Sequence, residues 1–164
     1  MGMVASMTVV PAALFRRGKG DLANLEVPAK AAAFRLDKAW VELHSALRRL
    51  PKPLPLAIAG DRPVGTRLDD GLLRERDDDS DEEDESEDDG DDCYFGYASP
   101  ALVKKVDRAL GQLSEAELLT AIAVAGWASV KKADQRYYLA AFGELMKAYS
   151  RASAEGAALM ILIG

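Results

Sequence analysis

A run of acidic residues is the feature that most constrains how this chain can fold. Residues 77–92 read DDDSDEEDESEDDGDD and contain 13 acidic residues and no basic ones. Like-charge repulsion and the absence of apolar side chains keep such a run out of a hydrophobic core. We therefore predict that 74–92 is a disordered acidic insertion, and that the residues on either side of it form the fold.

The rest of the chain has the composition of one globular domain. Outside the run, 14 acidic residues stand against 21 basic ones, so this part carries a net charge of +7 although the whole chain carries −6. A chain of 164 residues, 49% of them hydrophobic, can bury a sizeable core. We predict a single domain over 1–164, with the acidic insertion inside it rather than between two domains.

Cysteine content and hydropathy bear on the compartment. Cys93 is the only cysteine in the sequence, so no disulfide can form within the chain, and a reducing cytoplasm is the expected setting. The apolar run ALMILI near the end of the sequence is far too short to span a membrane. We expect a cytoplasmic protein that does not associate with membranes.

Residues 36–50, LDKAWVELHSALRRL, have the clearest helical pattern in the chain. Pro51 and Pro53 follow and end the pattern. The apolar residues recur at the i, i+3, i+4, i+7 spacing of one helix face; they are Leu36, Ala39, Trp40, Leu43, Leu47 and Leu50. The spacing predicts a helix that packs against the core, with Trp40 as its largest packing group.

Strands are predicted near both ends of the sequence and in its middle. Apolar and β-branched residues predict a strand over 3–10 inside a sheet, an aromatic strand over 93–98, and a buried strand at 158–163. The segment 53–60, bounded by proline and glycine, is interpreted as a short strand or an apolar turn. Residues 18–33 are interpreted as a loop with a helical turn.

Further helices are indicated by their capping residues. Ser99 before Pro100 begins one helix, and Ser114 with Glu117 forms a capping box at the start of the next. A short helix is predicted after Pro11.

The longest predicted helix runs over about 134–155, and Gly143 inside it suggests close packing against a neighbouring helix. Strands at the ends and in the middle of the sequence, with helices between them, are typical of an α+β fold. We predict a small mixed or antiparallel sheet packed with about four helices.

Several blocks of sequence, in this order, resemble the YfbM-like family of uncharacterised bacterial proteins. The most specific block, LDKAWVELHSALRR, resembles a helix motif of the family, and it is followed by PLAIAG, YASPALVKKVDRAL and YYLAAFGELMKAYSRASAEGAALMILI. The resemblance implies an α+β domain in the bacterial cytosol and implies no activity. The family often has a histidine directly after the tryptophan, whereas this chain has Val41 at that position. The resemblance therefore does not imply a site with two histidines on this helix.

The only histidine, His44, lies at the edge of the apolar face of the 36–50 helix. One interpretation makes it a rim residue of a pocket, and the other, which we favour, makes it a boundary residue with a structural partner. Asp37 on the same flank is seven residues away, about 10 Å along the helix axis, too far for a direct hydrogen bond. The candidate binding residues are Trp40, His44, Arg48, Tyr94 and Tyr97.

Residue content argues against several chemistries. One histidine and one cysteine are too few for a usual zinc site, and the acidic run lacks the spacing of an EF-hand calcium loop. A Ser-His-Asp hydrolase of the G-x-S-x-G type is excluded because the sequence lacks that motif. We predict no metal, no cofactor and no catalytic residues. We expect no nucleic-acid binding, because the attached polyanion would compete for any basic patch.

We therefore predict a small cytoplasmic binding or interaction protein without catalytic activity. Its partner would be a basic protein bound through the acidic run 77–92, and an immunity-type inhibitor of a toxin is one concrete form. The alternative is a small-molecule-binding protein or an enzyme whose pocket is rimmed by Trp40 and His44.

Overall fold

One antiparallel sheet runs through the part of the chain that the structure describes. In this computed structural model, residues 4–54, 56–64, 94–125 and 132–164 are described. The strands are β1 (Ala5–Val10), β2 (Ala33–Asp37), β3 (Arg62–Pro63), β4 (Tyr94–Ala98) and β5 (Ala158–Ile163). Their order is β2-β1-β5-β4-β3, and every neighbouring pair is antiparallel. The predicted sheet is confirmed, and its first strand lies inside it.

The longest pairing in the sheet joins β1 to β5. The register runs from Ala5 opposite Ile163 to Val10 opposite Ala158. Beyond these strands, the backbones of Val4 and Gly164 exchange two hydrogen bonds, at 2.8 and 3.2 Å. Two segments far apart in sequence thus form the middle of the sheet, and β2 adds beside β1 while β4 adds beside β5.

Six helices are present in the described residues. They are α1 (Ala12–Arg17), α2 (Trp40–Arg48), α3 (Leu56–Ala59), α4 (Pro100–Leu110), α5 (Glu115–Val124) and α6 (Lys132–Glu155). The Ser99 cap of α4 and the Ser114–Glu117 capping box of α5 are both formed, as the sequence indicates. None of these helices combines the length and the apolarity needed to cross a membrane. The α+β prediction is confirmed, with two short helices, α1 and α3, beside the four longer ones.

The predicted helix 36–50 begins later than its apolar spacing suggests. Residues 33–37 form the edge strand β2, and α2 begins at Trp40. Asp37 ends the strand in a left-handed backbone conformation, with φ of 49°. Leu36 is fully buried, but from a strand. The spacing therefore predicts burial correctly and the backbone conformation wrongly, because one short run of apolar residues can fit either period.

The segment 53–60 contains a short helix rather than the predicted strand or simple turn. Its α3 is held from outside by two tyrosine hydroxyls that donate to its carbonyl oxygens. Tyr149 donates to Ala57 at 2.7 Å, and Tyr94 donates to Ala59. Because both donors lie far away in sequence, the local pattern could not indicate this helix.

The two faces of the sheet are covered differently. One face packs against α2 to α6 and carries the main core, which includes Met7, Leu36, Trp40, Leu145 and Ile161. On the other face, a smaller buried cluster lies against α1 and the 3₁₀ turns that follow it; its members are Val10, Phe15, Tyr97 and Ala158. The described residues therefore cover the second face over only part of its length.

The described residues on either side of the acidic insertion lie on neighbouring strands. The N–H of Val64 donates to the carbonyl of Phe95 at 2.9 Å, next to the β3–β4 pairing. The predicted insertion 74–92 and Cys93 lie outside the described residues. Because the chain leaves and re-enters the sheet at adjacent positions, the segment between them can change in length at little cost to the sheet.

Two glycines that differ in backbone geometry provide a test of the fold. At Gly60, φ is +72° and an added Cβ would overlap the carbonyl of Tyr97. We expect Gly60→Ala to lower the free energy of unfolding by about 2 kcal/mol or more.

At Gly143, an added Cβ meets nothing within 4 Å, so the predicted close helix contact is wrong. Gly143→Ala should raise the free energy of unfolding by about 0.5–1 kcal/mol.

Urea denaturation of both variants measures these effects. The two substitutions add the same methyl group, so a difference in sign isolates the backbone geometry. A loss of stability at Gly143 as large as that at Gly60 would contradict the positions assigned to these residues.

Candidate functional site

Trp40 and His44 lie on the buried side of α2. Trp40 is 1% exposed and His44 is 5% exposed. Burial, and to a smaller extent the positive charge of Arg48, exposed one turn later, lowers the pKa of His44 to about 4. His44 is therefore neutral at pH 7. Its position in the interior fits a structural role better than a place on the rim of an open pocket.

Tyr94 and Tyr97 lie on opposite faces of the sheet. Tyr94 belongs to the main core, whereas Tyr97 belongs to the smaller cluster, where its hydroxyl donates to the carbonyl of Leu22 at 3.1 Å. The ring of Tyr97 also lies 5.8 Å from Phe15 and 5.4 Å from Phe95, between centroids. Burial raises the pKa of both tyrosines, so both hydroxyls stay protonated as donors. The structure thus does not bring the five candidate residues together around one site.

A polar cluster that the sequence does not indicate lies at the start of α4. The carboxylate of Asp61 accepts hydrogen bonds from the N–H of Ser99 at 2.7 Å and from its hydroxyl at 2.6 Å. The hydroxyl of Tyr149 is fully buried, and burial together with the charge of Asp61 raises its pKa far above the ordinary value. All these groups are engaged in joining α3, β4 and α4. The Ser99 cap is visible in the sequence, whereas nothing local marks Asp61.

Oε2 of Glu42 is buried and has no hydrogen-bond partner. Among the described residues, it is the one buried side-chain oxygen or nitrogen atom of this kind. Burial raises the pKa of this carboxyl, and hydrogen bonds from its own backbone and from the Tyr138 side chain oppose the shift. The group lies at the contact between α2 and α6 and lines neither of the cavities described below.

A row of side chains crosses the second face of the sheet beside the smaller cluster, and Phe95 and Val64 at one end of the row pack partly against that cluster. In order across the five strands it consists of Arg35, Ser6, Leu162, Phe95 and Val64, and we call it the open face. None of the five is buried. Leu162 at the centre is 43% exposed although β5 is the middle strand. The prediction of a buried strand over 158–163 is therefore wrong at this residue, because none of the helices and turns in the described residues covers this end of the face.

A groove lies between α4 and α6 on the helical side of the sheet, and we call it the α4–α6 groove. It has a volume of about 660 Å³. Its lining residues are Phe34, Asp107, Leu110, Gly111, Met146, Lys147, Ser150, Arg151 and Ala154. None of the candidate residues predicted from the sequence is among them. The surface combines an apolar floor with charged side chains on its rim.

A smaller cavity of about 330 Å³ lies between the end of α2 and α5. The Arg49 side chain crosses to α5, where its Nη1 donates to the carbonyl of Val124 at 3.0 Å. Val124 is 68% exposed. Because residues 126–131 follow directly and lie outside the described residues, this cavity supports no assignment.

These features define a small α+β domain with a five-stranded antiparallel sheet and helices mainly on one side. The family model described as "Domain of unknown function (DUF1877)" matches residues 19–162, and the chain belongs to this family. Among solved structures, YfbM from Escherichia coli, a protein of unknown function, aligns with a TM-score of 0.62 and 13% sequence identity. The alignment covers 98% of this chain and 99% of that chain.

The likeness to YfbM confirms the resemblance that the LDKAW block indicates. At 13% identity it shows a shared fold and nothing about activity. A comparison with curated proteins gives no match.

The buried histidine predicts a loss of stability in acid. The pKa of His44 is about 4 in the folded chain and about 6.5 when exposed, so the unfolded chain binds more protons between these values. The free energy of unfolding should therefore fall as the pH drops from about 6.5 toward 4. This group should contribute a loss of up to about 3 kcal/mol.

A His44→Gln variant, which has no titrating group at this position, is the matched control. Urea denaturation at pH 7 and at pH 4.5 should show a smaller difference for the variant than for the wild type. Because the sequence contains one histidine, an NMR titration can assign its pKa directly. A value near 6.5 would contradict the buried position.

Proposed function

We propose that this protein is a non-catalytic binding protein that docks a basic protein partner on the open face of its sheet. The observation that carries the proposal is the exposure of Leu162, near the end of the middle strand. An apolar side chain there is ordinarily covered by another layer of structure. A partner that supplies this layer would remove Leu162 and its neighbours from water, with a gain in free energy.

The neighbours of Leu162 extend the apolar surface toward the acidic insertion. Phe95 lies directly opposite Leu162 on β4, and Val64 continues the row on the far side of Phe95. Both are partly exposed. Apolar centres with polar surroundings are typical of protein interfaces.

Charge complementarity supports a basic partner. Val64, at the end of the open face, and Tyr94 are the described residues on either side of the segment with 13 acidic residues. Such a concentration of negative charge speeds the approach of a basic protein and weakens competition from acidic ones. Arg35, at the opposite end of the row, favours an acidic group on that side of the partner. The two ends of the row thus favour one orientation.

An immunity-type inhibitor that covers a basic toxin is one concrete form of this function. Binding of this kind needs a surface that is complementary to the partner in shape and charge, and it needs no catalytic groups. The cytoplasm is the proposed location, because the single cysteine suits a reducing compartment.

The alternative, a small-molecule or enzymatic pocket rimmed by Trp40 and His44, has less support. Both residues are almost fully buried, so a ligand would reach them only after α2 had moved. The two cavities described above are lined by other residues.

The test compares partner capture by four forms of the protein. The first is the wild type, and the second replaces every Asp and Glu in 77–92 with Asn and Gln, which keeps the length. The third is Leu162→Lys, which places a cation at the centre of the open face. The fourth, Val124→Lys, makes the same kind of change at an exposed apolar residue on α5 and is the matched control.

The proposal requires one basic protein that the wild type and Val124→Lys capture and that the other two variants lose. Isothermal titration with that purified partner should then show at least about tenfold weaker binding for Leu162→Lys. Binding by the wild type should weaken with added salt more steeply than binding by the neutralised variant. If both altered forms still capture the same partners, neither the open face nor the acidic segment takes part in binding, and the proposal is wrong.

A further inference from the structure

The α4–α6 groove lies on the opposite side of the sheet from the open face, so it forms a separate surface. We propose that this groove binds a small apolar monocarboxylate. The apolar body lies on the floor of the groove, and Lys147 and Arg151 of α6 hold the carboxylate.

The floor of the groove suits an apolar body of limited size. Phe34 of β2, Leu110 of α4 and Met146 of α6 supply large apolar side chains, and Ala154 and Gly111 line the groove without filling it. The volume of about 660 Å³ lies within the range of small-molecule sites. Methionine adapts to ligands of different shape because its side chain is flexible and polarisable.

Two cations on the α6 rim provide a site for one anionic group. Lys147 and Arg151 are four residues apart on the same helix, so their side chains project from neighbouring turns and can reach a common oxygen pair. Lys147 pairs with Glu144 at 2.7 Å, and Arg151 uses its Nε to pair with Glu155 at 2.5 Å. Ion pairs this exposed contribute little to stability and exchange readily. The guanidinium also has four further N–H donors for a ligand.

The opposite rim restricts the ligand to a single negative charge. Asp107 on α4 faces the groove from across the apolar floor. A second carboxylate at the far end of a ligand would approach this side chain and be repelled. The hydroxyl of Ser150, between the two cations along α6, adds a neutral hydrogen-bonding group on the favoured rim.

Isothermal titration with two ligands that share one chain tests the charge preference. Decanoate and nonyltrimethylammonium have the same alkyl chain and opposite head groups. Decanoate should bind the full-length protein at least about tenfold more tightly. The double variant Lys147→Gln and Arg151→Gln should lose this preference. The control double variant Lys104→Gln and Arg108→Gln removes the same charge from exposed positions of α4 outside the groove and should keep it.

A steric block tests the position of the apolar body. Ser150→Trp fills the groove from an exposed helical position and should abolish decanoate binding, whereas Ala140→Trp, at an exposed position of α6 outside the groove, should not. Circular dichroism verifies that each variant is folded. The charge variants keep the test decisive if Ser150→Trp unfolds. Equal binding of the two ligands, or decanoate binding that survives the charge variant or a folded block, would overturn the proposal.

Discussion

The pairing of β1 with β5 is the constraint on which the rest of the structure depends. Six residues of each strand are in register, and the hydrogen bonds continue through Val4 and Gly164. Every other strand is added outward from this pair, and the core side chains of both strands face α6 and its neighbours. Because the paired segments are far apart in sequence, the entropy cost of bringing them together must be offset by contacts that the whole domain makes.

An unequal distribution of helices over the two faces gives the molecule its candidate surfaces. The helical face is covered by α2 to α6, and its groove is lined by residues of α4, α6 and Phe34 of β2. The second face is covered only where α1 and the 3₁₀ turns pack on Val10, Tyr97 and Ala158. The remaining part is the open face, which ends at Val64, the last described residue before the acidic segment.

Local signals predicted the elements that are stabilised locally. The Ser99 and Ser114 caps mark α4 and α5 because a side chain within one turn satisfies the free backbone groups. In contrast, α3 depends on hydroxyls supplied by Tyr94 and Tyr149, which no local pattern contains.

For the candidate site, the sequence did contain a signal that Tyr94 and Tyr97 cannot share one pocket. They are three residues apart on one strand, and an odd spacing places side chains on opposite faces. The burial of Trp40 was predictable, but the groove was not, because it is formed by residues from three separate elements.

The sequence by itself determined which segments can enter the core and where α4 and α5 begin. These properties follow from the chemistry of neighbouring residues. Only the tertiary structure decided which apolar residues remain at the surface. Leu162 lies in a run of apolar residues that predicts burial, yet it is exposed, while Leu159 and Ile161 in the same run are fully buried. Strand alternation sends these residues to different faces, and whether a face is covered depends on where distant segments pack.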